Sequence, residues 1–265
     1  MIVPIPEGYY LIATYILSAI IGLCVGSFLN VVIYFVPLGM CVAFPALHCP
    51  KCGYKLHWYD NIPVLSYIIL GGKCRNCKEH ISFRYTLVEL LTAALWLLCA
   101  FIFKNNLIYM ICAIITCSVG VCVTFIDLEH MIIPDRFHII MLPVAVLSIF
   151  CDEKYDYISH LIGFGAAIVV FIGIAWLGKK ILKREALGGG DVKLAIVAGL
   201  LLGWQKLVLM MLVASVIGSV VMIIKRAKSG ESKEIPFAPF LIFGLLVAML
   251  FGNAIIGAYM SLITG

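Results

Sequence analysis

The chain has 265 residues, of which 63% are hydrophobic and only 12% charged, with a net charge of +5. A soluble domain carries about 25% charged residues and under half apolar ones, so that class is excluded. The apolar residues fall in blocks approaching or exceeding the roughly 20 needed to cross a bilayer, which implies an all-α integral membrane protein.

The first block, 10–36, lacks a basic n-region and a small-residue cleavage site. It is therefore expected to be a spanning helix and not a removed signal peptide. Further spans are expected at 86–103, 107–126, 137–151, 158–178, 191–203, 206–224 and 236–263, about eight in all, with the fourth and sixth short for full crossings. The polar segment 37–85 is the one stretch large enough for a small separate domain. This gives three parts: a first transmembrane helix (1–36), a cytoplasmic loop (37–85) and a polytopic membrane domain (86–265). The stretch Lys225–Glu234 (KRAKSGESKE) reads as a connector, and no internal repeat is visible.

Basic residues orient the chain. Placing 37–85 in the cytoplasm puts the loops 127–136, 179–190 and 225–235 on the same side. Together they hold 15 of the 19 Lys and Arg residues, among them Lys179, Lys180, Lys183, Arg184, Lys225, Arg226 and Lys228. The opposite loops hold Lys104, Lys154 and Lys206 with the acidic cluster Asp152, Glu153 and Asp156, while Lys193 stands at a membrane edge.

Within the first loop, Cys49-Pro-Lys-Cys52 is followed after 21 residues by Cys74-Arg-Asn-Cys77. Each CxxC presents two thiolates from one turn, and two such turns close a tetrahedral site for Zn²⁺ or another thiophilic metal. A cytoplasmic loop keeps its thiols reduced, which disfavours disulfides. Four thiolates close the coordination sphere, so the metal is expected to be structural and to stabilise a loop too short for a core. His48, His57 and His80 then have no required role. Of the other seven cysteines, six lie within or at the end of spans and read as packing residues.

Two segments break the apolar pattern. Asp127 ends the helix 107–126 and leads into Glu129 and Ile133-Pro134-Asp135; Asp191 follows Gly188-Gly-Gly190 and precedes Lys193. Ionisable groups at the ends of spans are costly and are functional candidates by default. On this topology both aspartates lie at one cytoplasmic depth although 64 residues apart. Two carboxyls at one depth can share a proton and activate one water, the general acid–base chemistry of aspartyl proteases. The competing interpretation is a pair of interfacial aspartates, solvated or bound to Lys193 or Arg136. The glycine run favours the catalytic one, since it permits positive φ and the close approach of another backbone. Pro134 sets a turn and Asp135 is placed to cap the next helix; Glu89, inside the second span, needs a partner or water. No Ser–His or Cys–His arrangement stands at that depth.

In these features the chain resembles the type IV prepilin peptidases, the GxGD aspartyl proteases of bacterial membranes. The resemblance runs through Gly26-Ser-Phe-Leu-Asn30-Val-Val, the paired CxxC motifs and Trp58-Tyr-Asp-Asn-Ile-Pro63-Val-Leu-Ser-Tyr67. It continues through Arg84-Tyr-Thr-Leu-Val-Glu89, Ile126-Asp127 to Asp135, Gly188-Gly-Gly-Asp191-Val-Lys193 and Ile235-Pro-Phe-Ala-Pro239. It implies a multi-pass enzyme of the bacterial inner membrane, cleaving the basic leader of prepilins and pseudopilins after a glycine at the cytoplasmic face. It implies Asp127 and Asp191 as the proteolytic pair, and S-adenosylmethionine-dependent N-methylation of the new amino terminus, an activity associated with the zinc-bearing loop. The chain departs from the family in carrying Phe35-Val-Pro37 where Arg-Leu-Pro is usual, and in a shorter segment before Cys49. No glycine-rich cofactor loop follows a strand, so no residue is assigned to S-adenosylmethionine. A member with protease activity alone remains open. An ion-coupled transporter or scaffold, using Asp127, Asp191 and Glu89, is the alternative from another class. It explains neither the shared edge of the two aspartates nor the missing repeat.

Overall fold

The computed structural model describes residues 9–41, 48–49, 51–151, 157–182, 187–229 and 235–264. The acidic cluster Asp152, Glu153 and Asp156, with Lys154, Lys183, Arg184 and the connector residues 230–234, lies outside the described residues. Regular structure among the described residues is helical: α1 (Tyr9–Phe35), α2 (Leu65–Ile69), α3 (Arg84–Ile102), α4 (Leu107–His130), α5 (Asp135–Cys151), α6 (Tyr157–Leu182), α7 (Gly189–Leu202), α8 (Trp204–Ser229) and α9 (Ala238–Thr264). Helices satisfy their own backbone hydrogen bonds, which lipid cannot do.

Six of them, α1, α3, α4, α6, α8 and α9, are long and apolar enough to cross a membrane, where about eight spans were expected. The difference lies in α5, with 17 residues, and α7, with 14. At 1.5 Å per residue these reach about 25 and 21 Å, short of a roughly 30 Å hydrocarbon core. The chain is an all-α, multi-pass membrane protein.

The chain divides into two compact units, Pro4–Asn105 and Asn106–Gly265. In the first, α1 packs along α3. A Cβ on Gly22 would lie 2.8 Å from Ala93 Cα, and one on Gly26 would lie 2.7 Å from Glu89 Cα. Glycines four apart thus let two backbones approach as larger residues would not. The loop between these helices carries α2, a 3-10 turn at Trp58–Asn61 and both CxxC motifs.

In the second unit α7 sits against α5, α6, α8 and α9, while α4 packs on α5 and α9. From Leu194 to Leu202 most of α7 is buried, including Leu194, Ala195, Ala198 and Leu201. Its brevity is therefore tolerated because neighbouring helices surround it. Gly163 on α6 and Gly199 on α7 face each other across a gap that no Cβ could enter. Among the six span-associated cysteines, Cys99, Cys112, Cys117, Cys122 and Cys151 are buried, as packing residues should be; Cys24 is exposed on the surface of α1.

Candidate functional site

α4 continues three residues beyond Asp127, to His130, so Asp127 stands in the last turn and not at the helix end. The helix stops at Met131, which adopts left-handed backbone and donates its N–H to the Asp127 carbonyl. The Asp127 side chain is 6% exposed. Its Oδ2 accepts the backbone N–H of Ala238 at 3.1 Å. Ala238 is the first residue of α9, and the first amides of a helix have no intrahelical acceptor. The Ile235–Pro239 motif thus supplies a donor to Asp127, a role that its sequence did not disclose.

Asp191 lies in the first turn of α7 and is half-buried. Its carboxylate turns back to the backbone of Gly188, the N-cap residue, in the manner of the returning half of a capping box. Its Oδ1 is buried and has no hydrogen-bond partner. Asp127 lies within electrostatic reach of it. The second unit therefore brings together the two aspartates that sequence reasoning had paired.

The glycines act differently from expectation. Gly188 has φ −64°, and none of residues 188–190 adopts positive φ. A Cβ on Gly190, however, would lie 2.9 Å from the Ile133 Cβ. The bare backbone at 190 lets the start of α7 close onto the segment that follows Asp127. Gly189 faces open space, and a Cβ on Gly188 would press to 3.1 Å from Asp191 Oδ2.

Two further contacts fix this junction. Lys193 Nζ donates to Asp135 Oδ1 at 2.7 Å, so Lys193 pairs with Asp135 and not with either proposed catalytic carboxylate. That ion pair holds the exposed Asp135 carboxyl below its ordinary range. Asp135 is the first residue of α5, preceded by Pro134, and acts through this tie instead of as a cap. His138, 8% exposed, brings Nε2 within 3.1 Å of the Gly190 carbonyl. It was missed in sequence, where the signal would have been an ionisable side chain within an apolar span. Glu129 is exposed.

In the first unit the four cysteine Sγ atoms lie within 4.8 Å of one another. Cys49–Cys77 measures 3.9 Å and Cys52–Cys74 measures 4.0 Å. Tetrahedral Zn–S bonds of about 2.3 Å require S–S edges of roughly 3.8 Å, so the cluster fits such an ion. The two turns are the same structure twice: His48 bridges Lys55, and Lys73 bridges His80. Gly53, at φ 69°, and Lys78, at φ 59°, occupy equivalent left-handed positions.

Asp60 braces the second turn. Its carboxylate is fully covered and accepts from Arg75 Nε at 2.7 Å and from the His57 backbone N–H at 3.2 Å. Burial alone would raise its pKa, but these two donors outweigh that and hold it below the ordinary carboxylate range. Glu89 is 8% exposed, and its Oε2 accepts the Val64 N–H at 2.8 Å, the partner this carboxyl needed.

Comparison with known proteins gives a family match in each unit. The profile of the Bacterial Peptidase A24 N-terminal domain matches residues 20–103, and that of the type IV leader peptidase family matches residues 114–223. A prepilin leader peptidase/N-methyltransferase of Myxococcus xanthus is 38% identical over 213 residues, 80% of this chain; the chain spans 63% of that relative's length. Proteins of the same description from Aeromonas salmonicida and Pseudomonas aeruginosa are each 32% identical. Those matches cover 91% and 92% of this chain and 92% of each relative. No solved structure matches. The chain belongs to the type IV leader peptidase family.

Proposed function

We propose that this enzyme removes the short basic leader of prepilins or pseudopilins after glycine and then methylates the new amino terminus, with Asp127 and Asp191 as the proteolytic pair. The observation that carries the peptidase reading is the convergence of these two aspartates from α4 and α7, one held by a helix N-terminal amide and the other with a free buried oxygen. One carboxylate takes a proton from water as it attacks the scissile carbonyl, while the protonated partner polarises that carbonyl oxygen. Gly188, Gly190, Pro134, Asp135 and Lys193 hold the pair in register. No covalent intermediate is needed.

The four cysteines favour a protein with both activities over a peptidase alone, since the resemblance associates their loop with methylation. Cys49, Cys52, Cys74 and Cys77 would bind Zn²⁺ as a structural ion, and S-adenosylmethionine would supply the methyl group. The basic loops support a site at the cytoplasmic face of the bacterial inner membrane. Co-expression with a prepilin, followed by mass spectrometry of the pilin amino terminus, tests the whole reading. Loss of the leader with gain of one methyl group is expected. Leader loss alone reduces the enzyme to a peptidase, and an intact leader across several prepilins contradicts the proposal.

A further inference from the structure

A cavity of about 260 Å³ opens within the first unit, between α1, α3 and the metal-bearing loop. What it binds is read from its lining and rests on the proposed methyltransferase function.

Asn30 lines the cavity and is 6% exposed. Its Nδ2 donates to the Tyr85 carbonyl at 3.0 Å and the Gly26 carbonyl at 3.3 Å. Those two acceptors fix the amide orientation, because the flipped group would set oxygen against oxygen. Its Oδ1 is left buried without a partner. A buried acceptor of this kind is destabilising unless a donor meets it.

The rest of the wall mixes acceptors with donors, the latter including Ser27, Asn61 and Arg75. Glu89 contributes a carboxylate, and the Asp60 carboxylate engages the Arg75 Nε–H. Tyr34, Tyr67 and Tyr85 add aromatic surface, which suits both a purine ring and a cation.

One edge of the cavity is strained. Val64, a β-branched residue, stands at φ 61° and ψ −48°. It centres a three-residue turn closed by the Leu65 N–H on the Pro63 carbonyl at 2.5 Å, and its own N–H is pinned by Glu89. Backbone held in such a region persists only where surrounding contacts impose it, and it clusters at ligand sites.

We propose that this cavity binds S-adenosylmethionine. Its sulfonium and ammonium groups complement the Glu89 carboxylate, its adenine suits the tyrosines, and one of its N–H or O–H donors satisfies Asn30 Oδ1. This gives Asn30, Glu89 and the Val64 turn a role apart from the aspartate pair.

The test uses full-length, zinc-loaded protein in detergent. Irradiation with S-adenosylmethionine, then peptide mapping by mass spectrometry, should place the adduct on peptides spanning residues 27–35 or 60–89. Calorimetric titration should show one site, with Asn30→Ala weakening binding by about tenfold or more while melting temperature and zinc content are retained. If that variant does not fold, the wild-type adduct alone decides. An adduct beyond residue 105 from an enzyme that still methylates pilin overturns this site and leaves the methyltransferase reading standing. So does cross-linking of the cavity wall to the pilin amino terminus, which would make it the acceptor's subsite. Absence of both binding and methylation overturns the two together.

Discussion

Lys78 illustrates how much one backbone angle decides. It holds a left-handed conformation in the second CxxC turn, where the first turn has Gly53. Left-handed backbone costs an L-residue roughly 1–2 kcal/mol. Lys78→Gly should therefore stabilise the metal-bound loop by up to about 1 kcal/mol, the gain being reduced by glycine's greater unfolded-state entropy. Gly53→Ala should destabilise it similarly. Urea midpoints for metal release read both. At the aspartate junction, Gly190→Ala would force the α7 start away from Ile133, and a displacement near 1 Å costs about a hundredfold in rate. Gly189→Ala meets no neighbour and should stay within about twofold of wild type in a leader-removal assay. These glycines were legible in sequence as special, but not for the right reason. Composition announces a tight place without saying whether φ or a neighbouring side chain makes it tight.

Helices were legible because lipid leaves the backbone no other option, so apolar block length carries most of the information. Every expected span corresponds to a helix, with ends shifted by up to about five residues. The count of crossings failed where helices are short. The Lys193–Asp135 ion pair and the Gly190–Ile133 approach bring the start of α7 to the start of α5. α5 and α6 therefore run out and back to the same level, which keeps Asp127 and Asp191 together although α5 and α7 fall short of a full crossing. The cysteine loop shows the opposite balance, since four cysteines mark a candidate metal site while little apolar core supports it. Chelation of the metal should unfold 48–81, seen as full thiol labelling of Cys49, Cys52, Cys74 and Cys77, and should leave the helicity of the membrane domain nearly unchanged. Retention of protected thiols after metal removal would show that the loop folds without an ion.

For the whole molecule, charge distribution predicts an orientation, and the proposed chemistry depends on it. Reporter fusions should place Asn105 outside and the end of α8 at Ser229 inside; the reverse would put the carboxyl pair on the wrong face for a cytoplasmic leader. Long-range pairings escaped the sequence altogether. Nothing in composition links Ala238 to Asp127, 111 residues away, or His138 to Gly190, because such contacts belong to the packed bundle. The pairing of Asp127 with Asp191 was reachable through topology, by counting crossings between them, and through the resemblance to the type IV prepilin peptidases. The most direct test of that pairing is the rate of leader removal by Asp127→Asn, Asp191→Asn and the double variant, each confirmed to be folded. If the two carboxyls act on one water, each single substitution should lower the rate by about a thousandfold or more, and the double should be no slower than the worse single. A folded single variant that still cleaves, or losses that multiply in the double, would contradict a shared site.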